Sequence, residues 1–253
     1  MSERGRLLLF VAGAAGFAAL LLWGLAGLPA FGDYRGPYGD VINASAVAQR
    51  HLTNMASAIN FDYRGFDTLG EEYILFTAVT GLALLLREIR SEIEEAPRDA
   101  SPNRDASDRS DALRWFGLML AGFTNLFGLY VVIHAHLTPG GGFQGGAILG
   151  TACLLVYLAI GYRAFRTVSP KVLMDFADAT GAGGYALIGL GTLLAGGAFL
   201  QNMLPLGQTG DLLSAGTVPV INLVVGLEVS GGFILMFAEF LKETRKPSRE
   251  KDA

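Results

Sequence analysis

Two carboxylates in the stretch Phe61–Glu72, FDYRGFDTLGEE, stand where a membrane helix has no structural need of them. Asp67 and Glu71 are four residues apart, so on a helix they lie one turn above each other on one face. The apolar run Tyr73–Leu86 follows directly. Ionisable groups at membrane depth are costly and face a bundle interior or a wet path. Like charges at one-turn spacing disfavour double ionisation, and partial burial acts in the same direction. Such a pair either holds a proton near neutral pH or exchanges it for a cation, since carboxylates suit hard cations. Arg64, three residues before Asp67, can instead neutralise one member. A further reading makes Asp67, Glu71 and Glu72 interfacial charges at a helix N-terminus, where the dipole favours anions. Asp62 and Glu72 read as interfacial. Glu228, mid-span in NLVVGLEVSGG, is the second candidate acid. No basic residue in that span neutralises it, so it needs water, a partner or a neighbouring subunit.

The elements that must position these acids follow from composition. Hydrophobic residues make up 51% of the 253, gathered in long blocks, and mean hydropathy is +0.41. This argues for an all-α integral membrane protein. Six spans are predicted: Leu7–Phe31, Phe66–Leu86, Leu113–Leu137, Phe143–Phe165, Gly183–Leu204 and Leu212–Leu241. The apolar core of the first is too long for a typical signal peptide and reads as an anchor. Pro219 suggests a short lead-in before the last helix proper. Asp33–Asn43 reads as loop, and Ala44–Asn60 as an interfacial or half-buried helix.

Ala96–Asp111, APRDASPNRDASDRSD, carries Pro, Ser and alternating charge without apolar periodicity, and reads as a linker. Residues 1–95 thus form a two-span segment, 96–112 a cytoplasmic linker and 113–253 a four-span domain. With both termini cytoplasmic, all of the nineteen Lys and Arg except Arg35, Arg50 and Arg64 fall on the inside. The positive-inside rule requires such an asymmetry, and an odd number of spans would scramble it.

Thr138–Gly146 joins two spans over a very short distance. Pro139 pre-sets a turn, and Gly140, Gly141, Gly142, Gly145 and Gly146 permit close backbone approach. The favoured reading of this hairpin, Phe143 included, is packing. Its backbone dipoles can also line an ion entry, with Gln144 as a neutral ligand. His134 and His136 point to different helix faces, which argues against a metal site. Cys153 has no cysteine partner and reads as a small apolar residue. Asp175 and Asp178 read as surface charges. There is no phosphate loop, Ser-His-Asp set or basic patch for nucleic acid. The expectation is a non-enzyme without cofactor.

FDYRGFDTLGE closely resembles a signature in the C-terminal tail of the large subunit of Mrp-type multisubunit Na+/H+ antiporters. It also resembles the small matching subunit of membrane-bound hydrogenases related to complex I. The pattern, close to N-V-V-N-x-I-L-V-D-F-R-G-F-D-T-L-G-E, is kept at Asn54, Ile59, Asp62, Arg64–Asp67 and Thr68–Glu71. Ser57, Asn60 and Tyr63 depart from it. His136–Gly146 resembles the H-x-T-P-G-G-G-F-Q-G-G signature of the MnhB family of antiporter subunits. Ser214–Pro219 resembles its S-x-G-T-x-P element. The linker tethering the first signature to the MnhB-like part departs from the commonest arrangement. The resemblance implies an accessory subunit in the inner (plasma) membrane, with large proton-pumping-like and small membrane subunits as partners. It implies transported Na+ and H+ as the only ions, and Asp67 and Glu71 match the family's implicated acids. A membrane-arm subunit of a related redox enzyme, such as a membrane-bound hydrogenase, and a purely structural scaffold remain as alternatives.

Overall fold

The computed structural model describes residues 3–33, 36–86 and 110–243. Most of the expected linker, residues 96–109, lies outside the described residues, as does the tail after 243. The described residues contain helices and no strands. The helices are α1 (Glu3–Ala26), α2 (Pro37–Arg50), α3 (Met55–Ala58), α4 (Gly65–Leu85), α5 (Asp111–Ile133), α6 (Gly142–Ile160), α7 (Tyr162–Val168), α8 (Lys171–Leu194) and α9 (Val218–Glu243). A π-helical turn, Ile59–Tyr63, separates α3 from α4. Five of these helices, α1, α4, α5, α6 and α9, are long and apolar enough to cross a membrane. By contact the chain divides into two compact units, Met1–Val41 and Ile42–Ala253.

In the first unit α1, beyond Arg6, is apolar all round and exposed along its length. Such a helix meets lipid or another protein on every side. In the second unit α9 is the central helix, packed against α4, α5, α6 and α8. Its membrane-length window is 56% buried, against 22% for α4 and α5. Small residues allow this crowding. A Cβ on Gly142 would sit 2.4 Å from the Asn222 carbonyl oxygen, and one on Gly146 2.8 Å from that of Gly226. The same face continues at Gly150, where a Cβ would meet Phe233. Close backbone approach of this kind is the usual basis of helix association in membranes.

Several boundaries differ from the sequence expectation, each for a local reason. The loop read over Asp33–Asn43 is cut short because Pro37 opens α2, its fixed φ suiting a first helical turn. The single helix read over Ala44–Asn60 breaks after Arg50, where His51 takes φ 53°. Asn54 then caps α3 by accepting from the amides of Ala56 and Ser57. The span read over Phe143–Phe165 stops at Gly161, φ 112°, and resumes as the short α7.

The span read over Gly183–Leu204 lies in a helix that starts at Lys171 and ends at Leu194, before a largely irregular stretch over 195–217. That shift arises because α8 buries a stripe of small and polar residues, Ala177, Asp178, Gly181, Ala182, Tyr185, Gly189 and Thr192, against its neighbours. Its composition therefore falls short of a lipid-facing span, although its length suffices.

Candidate functional site

The two sequence signatures interlock. Thr53 and Asn54 donate their amides to the His136 carbonyl, each at 3.1 Å. The Asn54 carboxamide nitrogen faces three hairpin carbonyls: Ala135 at 2.7 Å, Thr138 at 2.9 Å and Gly140 at 3.2 Å. The buried Ser57 hydroxyl donates to Ala135 O at 2.6 Å, and Thr53 Oγ1 to Leu137 O at 2.5 Å. From the other side, the Gly142 amide donates to Asn222 Oδ1 of α9 at 2.8 Å. The hairpin over 134–142 is thus held by side chains and by the Thr53 and Asn54 amides, because its carbonyls have too few donors within the hairpin itself. Ser57, a departure from the family pattern, serves as one of these clasps.

The π turn positions the other half. The Arg64 amide reaches back five residues to Ile59 O, 2.8 Å, and Thr68 Oγ1 donates to the Asn60 carbonyl at 2.7 Å. Asp62, read from sequence as interfacial, is instead nearly buried. It pairs with Arg50 at 2.9 Å and accepts from Asn202 at 2.8 Å. Arg50 also lies over the Tyr63 ring, 5.3 Å from its centroid. The 195–217 stretch, which supplies Asn202, is closed on itself just before α9 by the Thr217 hydroxyl, which accepts from the amide of Met203 at 3.1 Å.

Between the two signatures lies a cavity of about 230 Å³. It is lined by Ser57, Asn60, Thr68, Glu71, Glu72 and Gln144, with Gly140, Gly141 and the Phe61 and Phe143 rings. The Ser57 and Thr68 hydroxyls donate their protons to carbonyls, which leaves their oxygens as acceptors. Two carboxylates, two hydroxyls and two carboxamides are an oxygen-rich set of the kind hard cations prefer. Among the described residues no three His, Cys, Asp or Glu converge as a metal-ion cluster.

Of the acids expected to act, Glu71 lines this cavity and is otherwise exposed. Asp67 does not reach it. Asp67 faces outward, paired with the Arg64 guanidinium, and both side chains are about half exposed. Glu228 is fully buried on α9. Glu72 and Asp178, read from sequence as interfacial and surface charges, are both buried, at 2% and 4% exposure. For Glu72 the reason is its helix face. It shares with Gly65, Thr68, Leu69 and Val79 the side of α4 turned inward, just over a quarter-turn from Glu71. Asp178 falls on the buried stripe of α8, while Asp175, three residues earlier, stays exposed and pairs with Lys171 at 2.7 Å. The signal that could have found Glu72 and Asp178 is their helical register with small residues.

His136 of the hairpin is fully buried. Its Nε2 lies 3.3 Å from the Asp211 carbonyl. Burial lowers its pKa from the ordinary histidine value, the Asp211 carbonyl acting against this and His134 with it. The site therefore holds a neutral imidazole with Nε2–H as donor.

A family profile described as a domain related to the MnhB subunit of Na+/H+ antiporters matches residues 112–235. Over 224 residues the chain is 30% identical to an uncharacterised protein of Methanocaldococcus jannaschii, covering 83% of this chain and 84% of that one. It is 33% identical over 114 residues to the Na+/H+ antiporter B subunit of Bacillus subtilis strain 168, covering 42% of this chain and 75% of the relative. Among solved structures, a chain of the membrane-bound sulfane sulfur reductase, an archaeal respiratory membrane complex, superposes with TM-score 0.65 at 32% identity. That match covers 93% of this chain and 98% of the other. A chain of the Mrp complex from Dietzia sp. DQ12-45-1b shares the fold, with TM-score 0.67 at 24% identity, covering all of this chain and 27% of that one.

Proposed function

Because this chain belongs to the MnhB family of Na+/H+ antiporter subunits, we propose that it is an accessory membrane subunit of a multisubunit monovalent cation/proton antiporter. It is a multi-pass membrane protein, placed in this reading in the cell inner membrane with six spans and both termini cytoplasmic. Partner subunits would cover the apolar residues that α1 and α4 leave exposed, among them Leu8, Phe10, Trp23, Phe66 and Ile74. The observation that carries the reading is the oxygen-lined cavity where the two signatures meet. There Glu71, with Gln144 and the Ser57 and Thr68 hydroxyls, receives a monovalent cation that keeps part of its water shell. Glu228 lies on the inner part of the ion and proton path. Asp67, outward with Arg64, acts where a neighbouring subunit closes over it.

The test is antiport in membrane vesicles containing the assembled complex. Glu71→Gln is expected to weaken cation-driven proton movement at least tenfold, chiefly by raising the cation concentration needed. Full activity in assembled E71Q complexes refutes the role of the cavity. A second reading, a membrane-arm subunit of a related redox complex, is favoured by the likeness to the sulfane sulfur reductase over nearly all of both chains. Purifying the complex and identifying its partners separates the two. Redox subunits in the complex support the second reading, and antiporter subunits alone support the first.

A further inference from the structure

Three buried carboxyls lead away from the cavity, and we infer that Glu72, Glu228 and Asp178 form a proton relay through this subunit, from the cavity to the opposite end of the bundle. The inference rests on the antiporter reading above.

The order of the groups follows from contacts. The start of α4, the end of α8 and the start of α9 lie at one end of the bundle. The Tyr185 hydroxyl donates to Gly65 O at 2.8 Å, the Phe66 and Phe199 rings meet edge to face, and Asn202 reaches Asp62. From that end, Glu72 is seven residues into α4 and Glu228 ten residues into α9. At helical rise these are depths of about 10 Å and 15 Å. Helices α4 and α9 pack against each other, and the buried Glu72 and Glu228 carboxyls lie near enough to feel each other's charge.

The next step is fixed by the crossing of α8 and α9. A Cβ on Gly181 would lie 2.3 Å from Glu228 Cβ, so α8 passes Glu228 in near backbone contact. One turn further along the same crossing, a Cβ on Gly232 would lie 3.0 Å from Asp178 Oδ1. Asp178 therefore stands about 5 Å deeper than Glu228. Beyond it Asp175, with Lys171, is exposed at the far end.

None of the three is explained by structure. Glu72 Oε2, Asp178 Oδ1 and both oxygens of Glu228 are buried without a hydrogen-bond partner. The charged and titratable groups facing them are one another, Glu71 and Tyr185 around Glu72, and Asp175 beside Asp178. Among the described residues no basic side chain forms an ion pair with any of the three. Carboxyls left this way at membrane depth mark a path for protons or ions. Glu72 lines the cavity as well as facing Glu228, so it joins the two. Each transfer breaks an O–H bond on one carboxyl and forms one on the next carboxylate. Water on either side supplies and receives the proton.

Two experiments decide it. In vesicles holding the assembled complex, a sodium pulse drives proton movement read with a pH-sensitive dye. Glu228→Gln and Asp178→Asn are expected to lower proton movement at least tenfold while leaving the half-saturating sodium concentration unchanged, unlike Glu71→Gln. Undiminished proton movement in either variant overturns the relay. Should a variant fail to assemble, the wild-type complex is treated with an apolar carbodiimide, which attacks protonated carboxyls in dry surroundings. Modification mapped to Glu72 or Glu228 supports the relay, and modification confined to Asp67, Glu71 or Asp175 overturns it. Wild-type vesicles that move no protons in response to any monovalent cation would sink the antiporter reading, with the carbodiimide map still judging the relay.

Discussion

Replacing Asn54 tests whether the clasp between the two signatures holds the site together. Asn54→Ala removes an N-cap that accepts from two amides, a loss of about 1 kcal/mol. It also strips donors from two hairpin carbonyls, those of Ala135 and Thr138, at about 1 kcal/mol each. The total is about 3 kcal/mol, which in a chain of this size lowers Tm by about 6–12 °C. Asn54→Asp separates the two contributions. Its carboxylate keeps the cap but confronts three carbonyl oxygens within 3.2 Å, where the amide had donated. It is therefore expected to destabilise more than alanine at neutral pH, and less as acid protonates it and restores a donor. Thermal unfolding of the purified membrane protein, followed by tryptophan fluorescence across a pH series, reads both. A shift under about 2 °C for N54A, or an N54D variant milder than N54A at neutral pH, refutes the clasp.

Two further outcomes follow from the packing. Gly181→Ala places a methyl 2.6 Å from both the backbone nitrogen and the Cα of Glu228, atoms that cannot rotate away. It should cost about 1–3 kcal/mol by prising α8 from α9, read as a lower Tm, whereas Gly183→Ala, with nothing within 4 Å of its Cβ, should cost little. Equal effects at the two positions would refute the close crossing. His136, its pKa lowered by burial, binds its proton less readily folded than unfolded. Above the ordinary histidine pKa of about 6.5 both states are neutral and it adds no pH dependence. Below that value the unfolded state takes up more protons, so stability falls with pH until the folded pKa is reached. Substituting His136→Gln should flatten this acid limb in thermal melts, and an unchanged slope would argue against a buried neutral imidazole.

Much of the architecture was legible because the bilayer imposes a one-dimensional rule: long apolar blocks become helices, and Gly-Pro stretches become turns. The α4, α5 and α6 helices start within two residues of the expected positions, and α9 starts six residues after Leu212, following a short lead-in, with Pro219 in its first turn. Helix α8 was displaced by twelve residues at its start because its buried face is made of small and polar residues, which hydropathy scores as non-membrane.

The acids divide in the same way. Sequence spacing alone put Asp67 and Glu71 on one face of one helix, and the fold agrees. What it could not state is which face turns inward, since that depends on Tyr185, Leu200 and α9 meeting Gly65 and Leu69 from elsewhere in the chain. The inward face carries Glu72, and the hairpin that completes the cavity around Glu71 comes from a signature some seventy residues away. Local chemistry is written along the chain. The meeting of Glu72 with Glu228, and of Asn54 with the hairpin carbonyls, exists only once helices distant in sequence have packed.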